Sequence, residues 1–85
     1  MGLVEVAPGV SAGRHSHHGD EFGYVLEGTA LLEVEGQAPI TLNAGDTYHI
    51  QARHVHDAQN TGTIPARVLA IWVVEKEKPF ATPAQ

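Results

Sequence analysis

Residues 9–28 read GVSAGRHSHHGDEFGYVLEG, and this stretch decides the fold. Gly9, Gly13, Gly19 and Gly28 punctuate it, and no window of a dozen residues keeps a 3.6-residue apolar period free of Gly or Pro. What remains is extended chain. Phe22-Gly23-Tyr24-Val25-Leu26 has the aromatic and β-branched content of a strand, and His18-Gly19-Asp20 before it is a break. In the strand preceding that break, His15 and His17 stand at i and i+2. They therefore share a face, with Cα atoms about 6.6 Å apart. Two imidazoles on that pitch can converge on one cation. Glu21 opens the following strand, where a carboxylate can complete a three-point face.

The same reading extends outward in both directions. Strands are expected over residues 3–7, 13–17, 21–27, 29–35, 39–42, 47–50, 55–60 and 66–75. Turn-forming breaks separate them, among them Pro8-Gly9, Gly36-Gln37, Asn43-Ala44-Gly45-Asp46 and Thr61-Gly62. This spacing belongs to an all-β sandwich or barrel. Residues 68–74, VLAIWVV, are apolar on both faces, and residues 22–26 nearly so. Such a strand wants both faces covered. A barrel this small covers one face, so a homodimer is expected to cover the other; the plainer alternative is a sandwich whose two sheets cover each other. Residues 76–85 hold two prolines and little that packs, so they are expected to form a C-terminal surface arm beside a core spanning about 3–75 of a single domain, 1–85.

Size and charge narrow the function. At 85 residues and 9.1 kDa the chain holds one core. Area scaling gives a folded surface of ~4,900 Å² against ~13,200 Å² unfolded, so roughly 63% is buried, which is marginal for a lone domain. There is no cysteine, hence no disulfide and no thiolate metal site. A nitrogen–oxygen metal site or a second subunit is the remaining remedy. The net charge of −5 and five Lys plus Arg argue against nucleic acid as a partner. No apolar run reaches the ~18 residues that span a membrane. Met1-Gly2-Leu3-Val4-Glu5 lacks a secretory signal, which favours the cytoplasm, although the chain starts so near its first strand that a trimmed leading segment is compatible.

Histidine is the outlier, with six in 85 residues. A second pair, His54-Val55-His56, lies far downstream on another expected strand. Only a closed β architecture brings it back to the first. Spacing alone leaves open whether His54 or His56 joins His15, His17 and Glu21.

At this point the residues resemble a known family. Gly9-x5-His15-x-His17-x3-Glu21-x6-Gly28 is similar to the first conserved motif of the cupin superfamily, with every spacing met. The second cupin motif is kept in part: Gly45-Asp46, His56 and Asn60 fall in register, while Gln51 stands where Pro is expected and Arg53 where Gly is expected. The likeness covers residues 8–75. It implies a small double-stranded β-helix, the jelly-roll barrel of single-domain microbial cupins. It also implies a metal site made of His15, His17, Glu21 and His56, leaving His18, His49 and His54 outside.

Three imidazoles and a carboxylate suit one divalent first-row transition metal (Mn, Fe, Co, Ni, Cu or Zn) with a coordination position open. The expected function is a metal-dependent enzyme, dioxygenase- or isomerase-like, acting on a small polar molecule. A non-catalytic metal- or ligand-binding sensor module is the alternative, and a dimeric barrel with a vestigial site the third. Candidate acid–base helpers are Tyr24, Tyr48, His49 and His54. Arg53 is a candidate for gripping a substrate carboxylate at the pocket mouth, against the plainer reading of an idle surface Arg.

Overall fold

The protein is described here by a computed structural model that covers residues 1–74 and 78–84. Its strands are β1 (Gly2–Val6), β2 (His15–Ser16), β3 (Glu21–Glu27), β4 (Thr29–Val34), β5 (Ile40–Asn43), β6 (Thr47–Ile50), β7 (His56–Gln59), β8 (Ala66–Trp72) and β9 (Thr82–Pro83). Each of the eight expected strands is present, with its ends moved slightly. The largest change is at residues 13–17, which shrink to His15–Ser16. Gly13 sits at φ +94° and its N–H donates to Asp57 Oδ1 at 2.9 Å, so the chain is turning there rather than extended. Residue 75 of the expected 66–75 strand lies outside the described residues.

Two antiparallel sheets face each other, ordered β1-β8-β3-β6 and β5-β4-β7-β2-β9. Neighbours within each sheet are mostly distant in sequence, as in a jelly roll. No helix occurs among the described residues. Alternation along β8 explains the layering: Ala66, Val68 and Ala70 are buried, whereas Arg67, Leu69 and Ile71 face out. The second sheet answers with Ala30, Leu32, Val34 and Leu42 on its inner face. Val25, Leu32, Val34, Leu42, Ile50, Val68 and Ala70 form one contiguous core between the sheets.

The strands that read as apolar on both faces have one face in that core and the other uncovered. On the outside of the first sheet Leu3 stands opposite Leu69, Leu69 opposite Tyr24, and Ile71 opposite Phe22. All five side chains are exposed. The two sheets cover each other's inner faces, as in the plainer expectation of a sandwich, and leave the outer face of the first sheet exposed.

Asn60 is 2% exposed and ties the end of β1 to the loop between β7 and β8. Its amide donates to Val6 O and Ile64 O, each at 2.8 Å, and its side-chain oxygen accepts from Gly62 N at 2.8 Å. Its carboxamide is fully used, so its place in the second motif is architectural.

Of the expected arm, residues 76, 77 and 85 lie outside the described residues; the rest lies on the surface but is tied to the second sheet. Thr82–Pro83 pairs with β2, aligning His15 with Pro83 and Ser16 with Thr82. Phe80 packs edge-on against both His17 and Trp72 at 5.0 Å between ring centroids. Two prolines do not prevent this, because a proline at a sheet edge need not donate.

Candidate metal centre

Register builds the site. β2 and β7 are paired so that His15 stands directly opposite His56. His17 follows on the same face of the chain, and Glu21 enters from the first sheet as the first residue of β3. One ligand atom from each of these residues lies within 4.8 Å of every other. The three imidazole centroids are 4.3, 4.9 and 5.3 Å apart. His17, Glu21 and His56 are buried, and His15 is half-buried at the cavity wall.

Backbone carbonyls set all three imidazoles in one tautomer. The Nδ1–H of His15 donates to Gly13 O at 2.6 Å, that of His17 to Phe80 O at 2.7 Å, and that of His56 to His54 O at 2.9 Å. A carbonyl can only accept, so each neutral ring keeps its proton on Nδ1 and presents the Nε2 lone pair. The Nε2 atoms of His17 and His56 are buried without a hydrogen-bond partner. They lie 3.3 and 3.4 Å from Glu21 Oε1. Lone pairs crowded on one point repel unless a cation or a proton stands between them. This donor set therefore fits a divalent metal ion, with second-sphere bonds of the kind that orient ligand histidines.

The electrostatics carry the same message. Burial alone pushes the Glu21 carboxyl up, but a protonated His56 ring facing it and the Tyr48 hydroxyl outweigh that and hold the group below the usual carboxylate range. Burial pulls His56 down, yet the Glu21 carboxylate facing its Nε2 and the His54 carbonyl on its Nδ1 favour the protonated ring and leave it raised above an ordinary histidine. The Tyr48 phenol is driven far up by burial and by the Glu21 charge beside it. It is a donor, held to Glu21 Oε2 at 2.5 Å.

Of the suggested helpers, Tyr48 lines the cavity at this site and the other four do not. Tyr24 is exposed on the outer face of the first sheet. His49 is also outside, stacked on Phe22 at 4.5 Å and bonded to Asp20 Oδ2 at 2.9 Å. That bond and the N–H of Ala52 hold the Asp20 carboxyl below its ordinary value. His54 contributes its carbonyl, not its ring. Arg53 is exposed; at φ 65° it adopts the left-handed conformation that glycine takes most readily, and its N–H donates to His17 O at 2.7 Å. A left-handed backbone is strained in a residue with a Cβ, and the glycine of the resembling motif would adopt it freely.

Sequence reading missed three contributors. The Phe80 carbonyl orients His17, and no motif announces a backbone atom sixty-three residues away. Gly23 faces Tyr48 across the β3–β6 pair, and a Cβ there would stand 2.0 Å from the Tyr48 ring. Pairing residues 21–24 with 47–50 would have revealed that relation. Asp57, buried beside His56, accepts from Ser11 Oγ at 2.6 Å and from Gly13 N, bracing the loop whose carbonyl holds His15.

Beside the cluster a cavity of about 570 Å³ opens between the sheets. Its wall is mainly aliphatic, with Trp72 and Phe80 flanking the metal-facing end.

Comparison with known proteins agrees with this geometry. The model of the cupin domain family matches residues 2–73. The tetracenomycin polyketide synthase protein TcmJ of Streptomyces glaucescens is 31% identical over 70 residues, covering 81% of this chain and 46% of TcmJ. The crystal structure of the DMSP lyase DddQ from Ruegeria pomeroyi superposes with a TM-score of 0.84 at 26% identity, over 95% of this chain and 40% of DddQ. A predicted oxalate decarboxylase from Thermotoga maritima gives 0.76 at 28% identity, over 86% of this chain and 64% of that protein. The chain thus spans about half the length of the curated relative it matches. With both the fold and the family match in place, the chain belongs to the cupin family.

Proposed function

We propose that this cupin domain holds one divalent first-row transition metal through His15, His17, Glu21 and His56, and that it acts as a metal-dependent enzyme on a small molecule entering the cavity. One observation carries the reading: two buried imidazole nitrogens, His17 Nε2 and His56 Nε2, have no partner and face the same carboxylate oxygen. When bound, the metal supplies Lewis-acid or one-electron chemistry at its open position. The chain's own residues orient it. The three carbonyl acceptors fix the rings, and Tyr48 occupies Glu21 Oε2 so that Oε1 is the oxygen presented. The aliphatic wall offers water few hydrogen-bond partners beside the site. Metal per chain, measured by elemental analysis for the wild type, His17→Ala and Glu21→Ala, tests the assignment; unchanged stoichiometry in both variants would refute it.

A dioxygenase- or isomerase-like reaction is the finer proposal. The fold does not choose between reactions, since a lyase and a predicted decarboxylase share it. Oxygen uptake with catechols, flavonols and β-diketones, abolished by His56→Ala, supports the oxygenase. A second reading, a non-catalytic binding or sensor module, is favoured by one feature. Tyr48, the single suggested acid–base group at the cavity, is committed to Glu21 and held protonated. Silence across the substrate panel with metal in place supports that reading.

We further propose a homodimer, with a second copy covering the outer face of the first sheet. An isologous contact lays one patch against itself, and the patch of Leu3, Leu69, Ile71, Phe22 and Tyr24 is apolar and exposed. Among the described residues no helix is long and apolar enough to cross a membrane. A cytoplasmic site of action without nucleic-acid or membrane partners is proposed on the −5 charge and the scarcity of Lys and Arg.

A further inference from the structure

The stretch of chain that carries His15 and His17 is held from two sides. On one side β7 meets β2 at a single position, His15 opposite His56. On the other side the C-terminal segment 78–84 meets it at two, His15 opposite Pro83 and Ser16 opposite Thr82. The Ala84 N–H extends that edge by donating to Arg14 O at 2.9 Å. The His17 ring completes it, its Nδ1–H donating to Phe80 O at 2.7 Å. Four consecutive residues, two of them in the ligand set, thus lean on one terminal segment.

That segment is itself lightly attached. None of its residues belongs to the core between the sheets, and β9 is a two-residue strand at the edge of its sheet. Pro83 has no N–H with which to bond to β2. Phe80, its largest side chain, sets its ring edge-on against His17 and Trp72 yet stays 52% exposed. Short pairing with little burial belongs to the parts of a protein that open first. Phe80, Ala81 and Pro83 also line the cavity beside the ligands. Lifting the segment would remove part of the cavity wall together with the carbonyl that sets His17.

We propose that residues 78–84 form a strap locked by the metal: it docks over the loaded centre and lifts to let the metal leave. The proposal rests on the metal reading above and gives that site a closing element. The contact that differs between the two states is the bond from His17 to Phe80. A cation on Nε2 draws electron density from the imidazole, so Nδ1–H becomes the stronger donor and grips Phe80 O more tightly. Coupling of this kind is reciprocal. The factor by which metal favours the docked strap is the factor by which the docked strap favours metal. A tail that only packed on the surface would be indifferent to metal.

Amide hydrogen exchange, read by NMR on the full chain with and without one equivalent of zinc, tests the coupling. The Ala84 N–H reports the strap. The Asp46 N–H, bonded to Asn43 O at 2.9 Å in the turn between β5 and β6, serves as the control. Zinc content is measured on the same samples. Zinc should slow exchange at Ala84 about tenfold and leave Asp46 unchanged. Phe80→Ala keeps the carbonyl and removes the ring from the strap. With zinc bound, this variant should exchange at Ala84 about fivefold faster than the wild type and release zinc to excess chelator about fivefold faster. One zinc per chain with Ala84 exchange unmoved overturns the strap, as does equal slowing at Asp46, or zinc release from Phe80→Ala at the wild-type rate. A chain that holds no zinc overturns the metal reading beneath it instead, and elemental analysis shows that failure before any exchange is followed.

Discussion

Tyr48 reaches the carboxylate of Glu21 by lying across Gly23. The phenol donates to Glu21 Oε2 at 2.5 Å, and the ring occupies the space in which a Cβ on residue 23 would stand 2.0 Å from its edge. Glu21 and Gly23 share the inner face of β3, so the missing side chain at one serves the orientation of the other.

Tyr48→Phe keeps the ring and removes this bond. Metal affinity should fall about tenfold or more, the usual scale for losing a second-sphere partner. A competition titration against a chromophoric chelator measures it. An affinity equal to the wild type would mean that Glu21 is held in place without the phenol. Gly23→Ala should push the Tyr48 ring aside and destabilise the fold by about 1–3 kcal/mol, read from the urea midpoint.

The pair Glu21–His56 predicts opposite pH behaviour with and without metal. The Glu21 carboxyl is held below its ordinary 4.5, so its contribution is present above that value and lost as pH falls through the folded pKa. His56 is raised above 6.5, so in the metal-free chain its contribution is full below 6.5 and is lost as pH rises through the folded pKa. Metal binding requires neutral His56 and expels that proton. Metal-free protein should therefore lose stability above pH 6.5, while the stabilisation given by added zinc should grow over the same range. Thermal melts at a series of pH values with and without zinc decide it; a zinc increment that stays flat with pH contradicts the coupling.

Arg53 holds a left-handed backbone at φ 65° where the family's motif has glycine. Arg53→Gly relieves strain of about 1–3 kcal/mol and adds unfolded-state freedom worth about 0.4–1 kcal/mol, so a net gain of about 1 kcal/mol is expected. Chemical denaturation measures the gain, and a destabilised variant would show that the Arg53 side chain contributes in its own right.

Removing residues 75–85 deletes the Phe80 carbonyl that orients His17 and leaves every core residue in place. The truncated chain should keep its β-sheet circular dichroism and bind metal about tenfold more weakly. Unchanged metal affinity would show that the His17 ring needs no such acceptor.

Leu69 is paired with Leu3 on one side and Tyr24 on the other, at the middle of the exposed apolar face. Leu69→Glu places a charge there and should weaken self-association at least about 30-fold. Sedimentation velocity over a range of concentrations reads the shift. A wild type that sediments as a monomer at micromolar concentration removes the dimer.

The fold was legible because its signals are local. Glycine breaks, β-branched runs and the absence of a helical period are properties of neighbours in the chain, and they place eight strands well. The spacing of His15, His17 and Glu21 is local too, since a strand and a short turn decide which way those side chains point. By itself, then, the sequence determined an all-β fold and placed His15, His17 and Glu21 as a candidate metal face, with only the family resemblance pointing to His56 as the fourth ligand. The register of distant strands decided the rest. Whether His56 or His54 approaches His15, whether Tyr48 meets Gly23, and whether Phe80 lies on Trp72 all depend on pairings between segments dozens of residues apart. A one-residue slip in any of them turns every side chain to the opposite face. No nearest-neighbour pattern encodes that choice; the packing of the two sheets makes it. The same packing gives the cavity its aliphatic wall, which the histidines alone did not foretell.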